Sequence, residues 1–220
     1  THCSKMSSVT ILQSCFAPNI YDFKAMISSD RIWLCEGYQW SRKGRSHRAA
    51  IRNLDQLQWV GIPIRTEDKK YSIRQLRIDK VSDWTIPFLN AIKHSYSQAL
   101  YYDYYWKEFE SLILGASQLD YLWEFNKTVL FELLDFISYG HLVERIQYIP
   151  GDINWDELDH FDQCIQEQAS HIYMSPIKGA VSSFDPNLRY AQHKSGFLDQ
   201  VSLIDMLFEI GPESFKVFKG

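Results

Sequence analysis

The feature that most constrains this chain is a strand–helix–strand pattern compressed into residues 9–36. Val9-Thr10-Ile11-Leu12 is an apolar, β-branched run too short for a helix and suited to a strand covered on both faces. Residues 20–28 then place Ile20, Phe23, Met26 and Ile27 at helical spacing. Arg31-Ile32-Trp33-Leu34-Cys35 is a second strand. Two strands joined by a crossover helix form a parallel pair, because a hairpin would need only a tight turn. Gln13-Ser14-Cys15 breaks the first run at its carboxyl end, where open α/β sheets bind ligands.

Beyond this unit the pattern changes. Residues 45–52 and 57–64 are short extended runs around a turn at Asn53-Leu54-Asp55, and Pro63 confines the second to an edge or strand end. Residues 73–78 form another strand, with Ile73 and Leu76 out of strict alternation. From Ser82 three helical segments are expected, over 83–96, 101–114 and 119–138, the last opened by a Ser117-x-x-Asp120 capping box. A strand at 145–149, a helix at 156–169, a strand at 171–174 and a last strand at 188–192 follow. A second capping box, Ser202-x-x-Asp205, opens the final helix, which stops at Gly211-Pro212. The expected fold class is α/β: a Rossmann-like three-layer start with a mixed sheet, an antiparallel extension and a helical middle section. Residues 1–8 read as a frayed leader or remnant, and 9–220 as one domain.

Composition narrows the function. Hydrophobic residues make up 45% of the chain, enough for a sizeable core, and the net charge of -4 argues against a general nucleic-acid binder. Four cysteines without a C-x-x-C argue against a zinc site or disulfide framework, and fit free thiols in a reducing cytoplasm. No apolar run of about 20 residues exists to span a membrane. No metal or cofactor motif stands out among the histidines and glycines.

A small anionic ligand remains compatible with an acidic chain, because a local patch suffices. The segment SRKGRSHRAAIR gathers Arg42, Lys43, Arg45, His47, Arg48 and Arg52 around one glycine, which suits phosphate or carboxylate. A solvated hairpin is the plain alternative. Arg48 borders the apolar Ala49-Ala50-Ile51 and is the best single candidate. Gln13 sits in the strand-end turn. Cys15 is a nucleophile only if a neighbouring base or cation lowers its pKa; otherwise it is an inert thiol. Asn126 falls on the apolar stripe of the third helix, where a buried amide needs a partner, either a loop backbone or a ligand. His193 is a loop candidate for acid–base work. Ser202 and Asp205 frame the N-terminus of the final helix, a place that attracts anions.

These residues resemble a known family in order along the chain. Ile11-Leu12-Gln13…Phe16-x-Pro18, Tyr38-Gln39-Trp40…Lys43-Gly44…Arg48-x-x-Ile51, Trp59-x-x-Ile62-Pro63-Ile64, Glu124-Phe125-Asn126, Tyr173-x-Ser175-Pro176 and Gly196-Phe197-Leu198…Val201-Ser202-Leu203-Ile204-Asp205-Met206-Leu207-Phe208-x-x-Gly211-Pro212-Glu213 are similar to the motifs of the WbqC-like proteins. The last motif is the most specific. The resemblance implies a bacterial transferase that moves glycine or a similar aminoacyl or acyl group to a nucleotide-activated sugar during O-antigen or capsule synthesis. A non-catalytic ligand-binding or accessory protein of the same pathway is the alternative. Ser14, Cys15 and His47 stand where the family carries Pro, Tyr and Asn, and these departures favour the alternative. Phe16-Ala17-Pro18 is also similar to the opening of cytidylyltransferase-like enzymes, but Ile20 and Phe23 replace the phosphate-binding histidines.

Overall fold

The computed structural model describes residues 7–166 and 177–218. The expected parallel unit is present: β1 (Ser8–Gln13), α1 (Ile20–Ser28) and β2 (Arg31–Cys35) pair in register from Val9↔Arg31 to Gln13↔Cys35. Asn19 starts α1, its side chain accepting from the backbone N–H groups of Tyr21 and Asp22. Two further parallel strands complete the sheet, β5 (Ile146–Ile149) beside β2 and β6 (Gln163–Ile165) beside β1. The order β5-β2-β1-β6 is third, second, first, fourth along the chain, the order of a Rossmann half-sheet.

The strand pleat divides the core. Leu12, Ile32 and Leu34 face α1, whose Ile20, Phe23 and Met26 pack on them in the main core. Val9, Ile11, Trp33 and Cys35 point the other way, under Ile153, Leu158 and Phe161. The antiparallel extension is a separate two-stranded hairpin, β3 (Arg48–Asn53) with β4 (Gln56–Gly61), closed by Leu54 at φ 54 and Asp55. Three helices follow as expected, α2 (Thr85–Tyr96), α3 (Tyr102–Ala116) and α4 (Leu122–Phe136). The final helix, α5 (Leu203–Glu209), is buried at every position. Phe208 on it packs against Tyr96, Tyr102 and Phe109. No helix among the described residues is long and apolar enough to cross a membrane.

Several local expectations change. Of the helix expected at 156–169, the described part is instead a 3-10 segment, Trp155–His160, followed by β6, and residues 167–169 lie outside the described residues. The free edge of β1 captures residues 163–165, and Asp162 accepts from the Ser7 backbone N–H at 2.8 Å. That pairing, not local propensity, decides the conformation. Residues 73–78 are a 3-10 turn, Ile73–Gln75, then single bridges, so Ile73, Leu76 and Ile78 are all buried despite their broken alternation. Residues 188–192 form no strand; their polar side chains serve α5 instead. The strand expected at 171–174 lies outside the described residues.

Neither expected capping box forms. Ser117 ends α3, and Glu124 takes the Tyr121 N–H at 3.4 Å to start α4. Ser202 is the N-cap residue of α5 by position, yet its hydroxyl makes no cap bond and the Asp205 carboxylate is held elsewhere.

Candidate functional site

The carboxyl ends of β1, β2 and β5 lie side by side, tied by Ser14 N–H to Cys35 O (3.0 Å) and Glu36 N–H to Ile149 O (2.8 Å). Ser14, Glu36 and Tyr148 gather at this edge. Glu36 is fully buried; Arg74 donates to it at 2.9 Å and the Ser14 hydroxyl lies at 3.5 Å. Burial pushes the Glu36 carboxyl up, against the pull of Arg74, Ser14 and Lys127. The Arg74 guanidinium stacks 3.6 Å over the Trp123 ring. Trp123, Asn126 and Lys127 share one face of α4 and roof the edge. Asn126 donates to Ser46 O at 2.9 Å, and Lys127 Nζ stands 5.9 Å from the Tyr148 ring. Gln13 Oε1 lies 3.8 Å from where a Cβ on Gly44 would stand, which joins the β1 end to the 43–46 loop. A run of neighbours leads from Gln13 past the 44–46 loop to Asn126 and Lys127 and on to Tyr148, whose hydroxyl feels the Glu36 charge, with Ser14 beside Glu36. Gln13 Oε1, Asn126 Oδ1 and the Tyr148 hydroxyl are buried in this ring without a hydrogen-bond partner.

Behind the loop opens a cleft of about 760 Å³ between β4, the start of α2 and residues 40–47. Trp40, His47, Trp59, Trp84 and Phe88 supply its aromatic lining, and Arg42 and Lys69 its positive charge, with Asp83 at the rim. His47 packs 5.4 Å from Trp40, ring to ring. Burial, then the charges of Arg48 and Lys69, push His47 down to about 4. Its imidazole is neutral at pH 7 and cannot hold an anion by charge.

The cations of the SRKGRSHR segment therefore part company. Arg45 pairs with Asp22 at 2.7 Å. Arg48, the favoured phosphate candidate, folds back: Nε donates to Gly44 O at 2.9 Å, Nη2 to Lys43 O, and the guanidinium stacks 4.1 Å over Trp59. It braces the loop rather than facing the cleft. Arg52 is fully buried, and of the segment's arginines and lysine only Arg42 lines the cleft.

The remaining candidates form a second, separate network. Asp205 accepts from Tyr96 Oη (2.8 Å), Tyr190 Oη (2.5 Å) and Gln192 Nε2 (3.0 Å). Its oxygens are thus committed to protein donors. Burial raises its pKa to about 6 and that of Glu209 to about 7. His193 Nδ1 meets Glu209 Oε1 at 2.5 Å, and burial lowers the imidazole while raising the carboxyl, so each group is pushed toward its uncharged form. Arg52 ties the same segment down through Gln192, Ser195 and Gly196. His193, Asp205 and Arg52 clamp residues 190–198 onto α5 and the hairpin. Ser202 sits nearby, bridged to Asn19, with its hydroxyl unpartnered. Cys15 is buried, and desolvation pushes its thiol up to about 12 despite Arg45 nearby. The thiol stays protonated, so nucleophilic attack by Cys15 has no support in this geometry.

Sequence reasoning missed Glu36, Arg74 and Tyr148 at the edge. Glu36 was legible as the first residue after the second strand; Arg74 and Tyr148 carried no local signal. Among the described residues no cluster of His, Cys, Asp and Glu suits a metal ion.

The profile of the WbqC-like protein family matches residues 13–217. The chain belongs to the WbqC-like protein family. The match starts at Gln13, at the end of β1, and runs past α5, so both the edge and the clamp lie within the family's span. A relative from Mycobacterium tuberculosis (strain ATCC 25618 / H37Rv), "Uncharacterized protein Rv1507c", is 23% identical over 95% of this chain and 96% of its own length. No solved structure matches the chain.

Proposed function

We propose that this WbqC-like protein binds a nucleotide-activated sugar in the aromatic cleft and acts on it as an aminoacyl- or acyltransferase of bacterial surface-polysaccharide synthesis, in the cytoplasm. The cleft carries the reading. Its volume of about 760 Å³ lies in the range of small-ligand sites, generally about 300–1,000 Å³. Tryptophan faces suit a nucleobase or a sugar ring, and Arg42 and Lys69 suit the diphosphate. The transfer step comes from the family resemblance. Calorimetry with UDP-glucosamine tests the binding: wild type binds, and Arg42→Ala and Lys69→Ala each weaken binding tenfold or more. Equal affinity in both variants refutes the assignment. Mass analysis after incubation with a glycyl thioester and UDP-glucosamine tests the transfer.

A second reading, a non-catalytic ligand-binding or accessory protein, is favoured by one observation: the protonated, buried thiol of Cys15. Binding without product across a panel of acyl donors would support it.

A further inference from the structure

We infer that the ring of residues at the carboxyl edge of the parallel sheet is a binding site for a primary ammonium group, as on a small aliphatic amine or an amino sugar. Three features carry this, and none depends on the transferase reading.

The first is the character of the unpartnered atoms. Asn126 is fully buried on α4, and its Nδ2 is fixed as a donor to Ser46 O, so the free atom is the acceptor Oδ1. Gln13 Oε1 is a second acceptor, and the Tyr148 oxygen can accept as well as donate. Leaving such atoms buried and unpaired is costly, so a site that keeps several together is built for something that donates.

The second is charge. Glu36 is fully buried in the same ring; its ion-pair partner Arg74, 2.9 Å away, rests on Trp123 with its side chain 34% exposed, and Lys127 is exposed. Water screens the outward charges more than the enclosed carboxylate. A donor that also bears positive charge gains from both features, since charge-assisted hydrogen bonds are roughly twice as strong as neutral ones. An ammonium brings three N–H donors to meet the Gln13, Asn126 and Glu36 oxygens.

The third is position. The ring stands at the carboxyl ends of parallel strands, where open α/β sheets take ligands. Arg74, resting on Trp123 with one hand on Glu36, is the member that would swing to admit a ligand.

The test pairs amines with hydroxyl isosteres on the full chain. Glucosamine against glucose, and ethanolamine against ethylene glycol, are titrated by calorimetry at pH 7. The expected result is saturable binding of an amine and at least tenfold weaker binding of its hydroxyl twin. Tyr148→Phe deletes one unpartnered hydroxyl; it should melt at or above the wild-type temperature yet bind the amine several-fold more weakly. Glu36→Gln should lose the preference for amine over hydroxyl. Equal binding of twins, no saturable binding of either amine, or unchanged affinity in a folded Tyr148→Phe each overturn the inference.

Discussion

Arg52→Lys keeps a positive charge at a fully buried site and removes only the fork that distributes it. The native guanidinium donates from Nε to Leu54 O (2.8 Å), from Nη1 to Gln192 Oε1 (2.6 Å) and Gly196 O (2.9 Å), and from Nη2 to Ser195 O (2.6 Å). A lysine amine is a single point with three donors and cannot reach acceptors arrayed around a plane. Two acceptors at least lose their partner. At about 1–3 kcal/mol for each buried group left unsatisfied, the cost is about 2–6 kcal/mol. For a domain of this size, roughly 2–4 °C is lost per kcal/mol, so the melting midpoint should fall by about 4–24 °C. Circular dichroism measures the midpoint. Limited proteolysis should show new cleavage within residues 190–198, because these are what Arg52 holds. A variant melting within 2 °C of wild type, with unchanged cleavage, would mean the fork carries no such weight and the clamp reasoning fails.

Cys15 should resist a thiol reagent such as Ellman's in the native protein and react on unfolding. With its pKa near 12, the thiolate fraction at pH 7 is roughly one in 10⁵; labelling within seconds would contradict the buried, protonated thiol. Glu209 gives a pH signature. Its folded pKa, raised to about 7, lies above the unfolded value, so the stability it contributes is fully present below about pH 4 and is lost as pH rises through 7. The melting midpoint of wild type minus that of Glu209→Gln should therefore fall between pH 5 and pH 8; a flat or rising difference would contradict the raised Glu209 carboxyl.

The parallel start was legible because a strand, a helix and a strand in 28 residues admit few topologies, and the β1–α1–β2 unit follows from side-chain period alone. The same local logic failed at 156–169, where the unpaired edge of β1 drew residues 163–165 into the sheet. It failed again at Ser202-x-x-Asp205. A capping box is a relation between neighbours, but an α5 buried on all sides offered Asp205 stronger donors from Tyr96 and Tyr190, far away in the chain or across a loop. Residues 42–52 make the contrast sharpest. The sequence by itself determined that this segment concentrates positive charge. Only the tertiary structure decided that Arg45 would meet Asp22, that Arg48 would brace its own loop, that Arg52 would be buried as a clamp, and that Arg42 would be left to face the cleft. Charge is a property of composition, but its use depends on which oxygens folding brings within about 3 Å, and chain spacing does not encode that distance.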